Sequence, residues 1–157
     1  MTLRGGALPA IEAVVPHRGS MLWLERLVAA ADDVVEASAT VPPGAGYLDA
    51  EPGMPAWLGI ELMAQAVAAH VGLRGWRDGK PMKPGVLLGC RRYHSKVASF
   101  APGAQLRVAA RLAYRDESGF GAYDCTIADQ HAELASATLK VYEPPDFEAF
   151  LRSVGAP

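Results

Sequence analysis

Between Pro55 and Leu73 the chain is apolar almost without interruption, and this run decides most of what it can become. It is long enough to raise the question of a membrane span. It also holds Glu61, Gln65 and His70, which are expensive in hydrocarbon, so a buried core helix is the better reading. The helix is expected from Pro55 to about Arg74. Pro55 suits a first helical position, where its missing N–H forfeits nothing. Trp57, Leu58, Ile60, Leu62, Met63, Ala64, Val67 and Val71 spread over most of the circumference, so the helix should be covered on nearly every side. Gly72 and Gly75 offer ends.

What surrounds it reads as strands. Val35, Ala37, Ala39 and Val41 alternate with Glu36, Ser38 and Thr40, the period-2 pattern of a half-buried sheet. Leu106, Val108, Ala110, Leu112 and Tyr114 alternate in the same way with Gln105, Arg107 and Arg111. Further strands are expected at 21–30, 85–97, 119–128 and 133–142. A short helix before Pro16 and a tail helix at 146–154 flank them, and 42–53 is a loop by its Pro and Gly content. The expectation is a single α+β domain over residues 1–157: an antiparallel sheet of about six strands around one long helix, with its core at about 14–142. One helix cannot cover six strands, so the remaining sheet area and edges call for a second chain.

Charge is unevenly placed. Seven cations and one acid lie between Arg74 and Lys96, whereas the rest of the chain carries sixteen acids against eight cations. The segment is either a solvated face or a docking patch for an acidic partner, with Arg74, Arg77, Arg91, Arg92 and Lys96 as candidates. The net charge of −2 argues against a general nucleic-acid binder. Two cysteines, Cys90 and Cys125, exclude a disulfide scaffold and a cysteine zinc ribbon. His94 and His131 fall on predicted strands without ligand spacing, so no metal is expected. Glu12 interrupts the only apolar stretch near the N-terminus, and the expectation is a cytoplasmic protein with reduced thiols.

Glu61 is the informative residue. It is placed on the second turn of an otherwise apolar helix, where a carboxylate must be paired or functional. A structural Glu61 would pair with Arg18 or Arg26, or simply reach water; a catalytic one would exchange protons. Gln65, four residues on, shares its face and can orient it.

The stretch from Met54 to Ala66, Met-Pro-Ala-Trp-Leu-Gly-Ile-Glu-Leu-Met-Ala-Gln-Ala, resembles the central-helix signature of the hotdog-fold 3-hydroxyacyl-acyl-carrier-protein dehydratases. Pro16-His17-Arg18 followed by an apolar segment is similar to that family's opening, and Pro102-Gly103-Ala104-Gln105-Leu106 to its Pro-Gly turn. The order matches from about residue 14 to 142. The Ala-Trp variant and the Leu-Leu-Gly-Cys-Arg-Arg run are most similar to the dehydratase-like proteins of aryl-polyene pathways. Two positions depart from the pattern. Tyr47 stands where the main family has a catalytic histidine, and Ala56 where it has the helix-start glycine.

The resemblance implies dehydration of a 3-hydroxyacyl thioester to a trans-2-enoyl thioester. No cofactor is implied beyond the carrier's phosphopantetheine arm, which would thread between two hotdog subunits, identical or different. The carrier would be an acyl carrier protein or coenzyme A. Glu61 is the expected acid for the departing hydroxyl, and His17 the expected base in place of the missing histidine. The N–H groups of Ala56 and Trp57 are expected to hold the thioester oxygen, and Tyr47 and Gln65 to contact substrate. For His17 and Glu61 to serve one acyl chain, an imidazole nitrogen must lie within roughly 6–7 Å of the carboxyl. The alternatives are a hotdog thioesterase, whose helix carboxylate activates water, and a non-catalytic hotdog subunit that pairs with an active dehydratase.

Overall fold

The computed structural model describes residues 7–43 and 52–155. Its long helix, α1, covers Gly59–Arg77 and is entered through a single 3-10 turn at Ala56–Leu58. Pro55 therefore does not open the α-helix. It belongs with Met54 to a two-residue strand, β3, which pairs with β5 (Ser99–Phe100). The later start puts Glu61 in the first turn of α1, closer to the helix's positive end than the sequence indicated.

The main sheet holds six strands, all antiparallel, in the order β1-β2-β6-β7-β8-β4. They are β1 (Arg26–Ala30), β2 (Val34–Thr40), β4 (Val86–Ser95), β6 (Gln105–Arg115), β7 (Phe120–Ala128) and β8 (Glu133–Tyr142). This sheet wrapped on one helix is the α+β hotdog architecture expected. The tail helix α2 is Phe147–Ser153, capped by the Asp146 side chain on the Ala149 N–H.

Alternation places the core as read. Val35, Ala37 and Ala39 of β2, Leu106, Val108 and Ala110 of β6, and Tyr123, Cys125 and Ile127 of β7 are all buried with Leu62, Met63, Ala66, Val67 and Leu73 of α1. By length and composition α1 could cross a membrane, yet ten of its residues are buried.

Two close approaches fix how α1 sits. A side chain at Gly59 would bring its Cβ within 2.6 Å of the Tyr93 hydroxyl and 2.9 Å of Ile127 Cδ1. Its absence lets Tyr93 reach past it and donate to the Ala56 carbonyl. At Gly72 a Cβ would fall 1.8 Å from the Val14 carbonyl oxygen, so the N-terminal segment lies directly on the helix backbone.

The strand expected from Met21 begins only at Arg26. Residues 19–21 form a 3-10 turn, and the backbone of Met21, Trp23 and Leu24 is bonded to the Gln65 side chain. A side chain has replaced the strand partner there. The short helix expected before Pro16 is a 3-10 turn, Ile11–Ala13. His131 lies in the turn between β7 and β8 and not on a strand.

Candidate active site

Gln65 organises the site. It is fully buried, and every polar position of its amide is used. Nε2 donates to the Met21 carbonyl at 2.8 Å and to Glu61 Oε1 at 2.8 Å. Oε1 accepts the Trp23 N–H at 3.0 Å and, more weakly, the Leu24 N–H at 3.4 Å. The amide thus ties α1 to the segment that follows His17 and holds one oxygen of Glu61.

His17 Nε2 lies 3.7 Å from Glu61 Oε1, within one chain and inside the span that a shared acyl chain demands. The other ring nitrogen, Nδ1, is buried without a hydrogen-bond partner among the described residues, so Nε2 is the atom directed at the carboxyl. Among the described residues, Arg18 pairs with no acid. Its guanidinium donates to the carbonyls of Val15, His17 and Glu12 at 2.7, 2.7 and 2.8 Å, clasping the segment from beneath.

Both side chains face a cavity of about 260 Å³. Its helix wall is Glu61, Ala64, Val67, Ala68 and Val71, and its sheet wall includes Gly121, Tyr123 and Val141. The start of β4, Val86 and Leu87, borders it. At the end away from His17 stands a close ion pair, Arg115 Nη2 to Glu143 Oε2 at 3.0 Å. Sequence patterning offers no signal for Arg115, Glu143 or Gly121, because strand register alone brings them here.

The remaining expected residues divide. Trp57 is 60% exposed beside the helix start. Ala56 cannot supply an oxyanion donor as expected, because its N–H is spent on the Ala98 carbonyl at 2.9 Å. Trp57 follows it in the 3-10 turn, where the first N–H groups have no intrahelical acceptor by position. Tyr47 lies outside the described residues.

The basic segment is not one patch. Arg74 lies with Lys80 and Lys83 around a second, smaller cavity at the C-terminal end of α1, and Arg77 leans 4.0 Å from Asp32. Arg91 and Arg92 are exposed on β4, with Lys96 just after it. Tyr93, their neighbour, reaches the other end of α1, where Glu61 stands.

The other chemically active side chains serve packing. Burial pushes the Cys125 thiol up to about 12 and also raises that of Cys90, which leaves both weak nucleophiles. His70 is buried in the core. Its Nε2 must donate to the Asp32 carbonyl, 2.9 Å away, so Nδ1 accepts the Tyr123 hydroxyl at 2.8 Å. Among the described residues, no group of His, Cys, Asp and Glu is placed to hold a metal.

A sequence model of the ApeP-like dehydratases matches residues 9–152, nearly the whole chain. The chain belongs to this dehydratase family. Among solved structures it is similar to a chain of the dehydratase heterocomplex ApeI:P from Xenorhabdus doucetiae, with a TM-score of 0.85 and 25% identity over 94% of this chain and 99% of that one. The PaaI protein of the E. coli phenylacetic acid degradation operon shares the fold at a TM-score of 0.59 and 19% identity, covering 74% and 81% of the two chains. A hypothetical thioesterase from Streptococcus pneumoniae, solved with coenzyme A, shares it at 0.60 and 15%, covering 75% and 84%. No curated protein matches the sequence. The ApeP-like dehydratases thus take in the helix that carries Glu61 and the loop that carries His17.

Proposed function

We propose that this chain dehydrates a 3-hydroxyacyl group carried on acyl carrier protein, giving a trans-2-enoyl thioester, in the cytoplasm and without a further cofactor. The observation that carries the reading is the His17–Glu61 pair, 3.7 Å apart at the head of an apolar cavity. A thioesterase needs only the carboxylate and its water; an elimination needs an acid and a base on neighbouring carbons.

The pair works with one proton between them. Gln65 donates to Oε1, which leaves Oε2 of Glu61 to carry that proton. His17 Nε2 takes the α-proton, and the electron pair moves into the enolate-like thioester, whose oxygen is assigned to the Trp57 N–H at the helix start. The β-carbon–oxygen bond then breaks as Glu61 protonates the departing hydroxyl, and water leaves. The imidazolium and the carboxylate restore the starting state by one proton transfer across their gap.

We assign the start of β4, on the exposed sheet edge, to a second hotdog chain. Leu87 and Leu88 are 41% and 49% exposed there, and the start of this strand walls the cavity, so a partner would cover apolar surface and close the site together. A heteromeric partner is favoured, because the similar structure from Xenorhabdus doucetiae is a heterocomplex. Carrier docking is assigned to Arg91, Arg92 and Lys96, which lie toward the Glu61 end.

The test is Glu61→Gln, which keeps the shape and removes the titrating group. Turnover of a 3-hydroxyacyl carrier by the purified assembly should fall about 10²-fold or more, with the melting curve retained. Unchanged turnover overturns the reading. Release of free carrier thiol in place of an enoyl product would assign hydrolysis instead.

A further inference from the structure

We propose that Gly121 determines substrate specificity by setting the depth of the acyl channel, so that the site takes extended acyl chains that pass it and end at the Arg115–Glu143 pair. The proposal rests on the dehydratase reading and names the substrate class for it.

Strand register places Gly121 in one transverse row. Arg115 of β6 pairs with Gly121 of β7, Gly121 with Val141 of β8, and Val141 with Leu87 of β4. All four line the cavity. Along β7, Gly121 shares its face with Tyr123, Cys125 and Ile127, which point at the helix, so a side chain at 121 would project into the channel.

The position along the channel follows from two contacts. Ile127 lies by Gly59 at the start of α1, and Tyr123 meets His70 farther along it. Gly121 therefore lies beyond His70, toward the end away from Glu61. The helix wall from Glu61 to Val71 spans ten residues, or about 15 Å at 1.5 Å per residue. Ala64 and Ala68 keep that wall low on the opposite side.

The backbone does not require glycine at 121. It has no positive φ. A Cβ built there meets the Tyr114 carbonyl oxygen at 3.4 Å, Val141 Cγ2 at 3.4 Å and Tyr123 Cε2 at 3.7 Å, ordinary contacts all. Gly119, two residues away, is different: its φ is +100° and a Cβ would strike the Glu143 carbonyl oxygen at 2.3 Å. Glycine inside a strand weakens it and leaves nothing to pack. The fold explains Gly119, whereas only the cavity explains Gly121.

The experiment compares wild type, Gly121→Ala and Gly121→Leu on 3-hydroxybutyryl, 3-hydroxyoctanoyl and 3-hydroxydodecanoyl carrier thioesters, and measures binding of an unreactive dodecanoyl-amide pantetheine by calorimetry. Gly121→Leu should keep its rate on the butyryl substrate and lose roughly tenfold or more in kcat/KM on the dodecanoyl one. Gly121→Ala should fall between, and because its added methyl meets only ordinary contacts it carries the test if the leucine variant does not fold. Equal losses at every chain length, or undiminished binding of the dodecanoyl amide in the variants, overturn the proposal. If no 3-hydroxyacyl substrate turns over, the dehydratase reading falls; amide binding that is weakened only in the variants would still support Gly121 as the limit of the channel.

Discussion

Replacing Gln65 tests whether one amide holds the site together. Gln65→Met keeps the length and removes four hydrogen bonds: two that the amide donates, to the Met21 carbonyl and Glu61, and two that it accepts, from the N–H groups of Trp23 and Leu24. The position is fully buried, so water does not replace them cheaply. At about 1 kcal/mol per bond, with the 3.4 Å contact worth less, the expected loss is about 3 kcal/mol. That is a large share of the roughly 5–15 kcal/mol that holds a domain folded. Urea unfolding of the purified protein reads the loss as a lower midpoint with an unchanged slope. Turnover should fall as well, because Glu61 loses the donor that fixes Oε1. Gln65→Glu sharpens the test. It sets a second carboxyl against Glu61 and the Met21 carbonyl, so burial and the facing oxygens raise its proton affinity. Its folded-state pKa then lies above the unfolded value, and this variant alone should gain stability as the pH falls through that window. If both variants unfold within about 1 kcal/mol of wild type, Gln65 is not the tie between α1 and the segment that follows His17.

Other substitutions probe what surrounds the pair. Gly72→Ala forces a methyl into the Val14 carbonyl, so it should cost about 1–3 kcal/mol in urea unfolding and lower turnover by lifting the segment that carries His17. Burial holds the His70 pKa below its ordinary 6.5. The unfolded chain therefore binds the extra proton first as the pH falls, and stability should decline on acidification below about 6.5. His70→Gln should flatten that decline in melting temperatures taken across the range. Reversing Arg91 and Arg92 to Glu should slow turnover of a carrier-bound substrate and spare a small pantetheine thioester. The difference should shrink at high salt, where the Debye length falls below about 10 Å; equal losses on both substrates would make these arginines structural.

The sequence was informative where one rule governs many residues. Apolar content around the full turn of α1 announced a covered helix, and period-2 alternation announced β2 and β6 to within a residue or two. It failed where a long-range contact overrides local pattern. Met21, Trp23 and Leu24 have strand-like side chains, but their backbone is bonded to Gln65, over forty residues away. The start of α1 was misread because Pro55 is compatible with both a helix and the end of a strand, and the pairing with Ser99 selects the strand. Glu61 and Gln65 were legible as chemistry because polar groups stand out on an apolar helix, and His17 only through the resemblance of its Pro-His-Arg segment. Arg115, Glu143 and Gly121 were not, since nothing local distinguishes a strand-end arginine or a strand glycine from any other. The basic run looked like one patch in sequence because sequence distance hides a helix end and a strand whose cations lie toward opposite ends of α1.

His17 and Glu61 stand on the same polypeptide, and Gln65 and the Gly72–Val14 contact fix their separation from within it. On the proposed mechanism, a paired assembly therefore counts its acid–base sets by copies of this chain, not by interfaces. Joined to a different hotdog chain it contributes one complete set per pair, and joined to itself it contributes two. A partner is then free to diverge in its own proton-transfer residues without silencing the site in this one, which leaves the partner's surface and channel open to a separate specialisation.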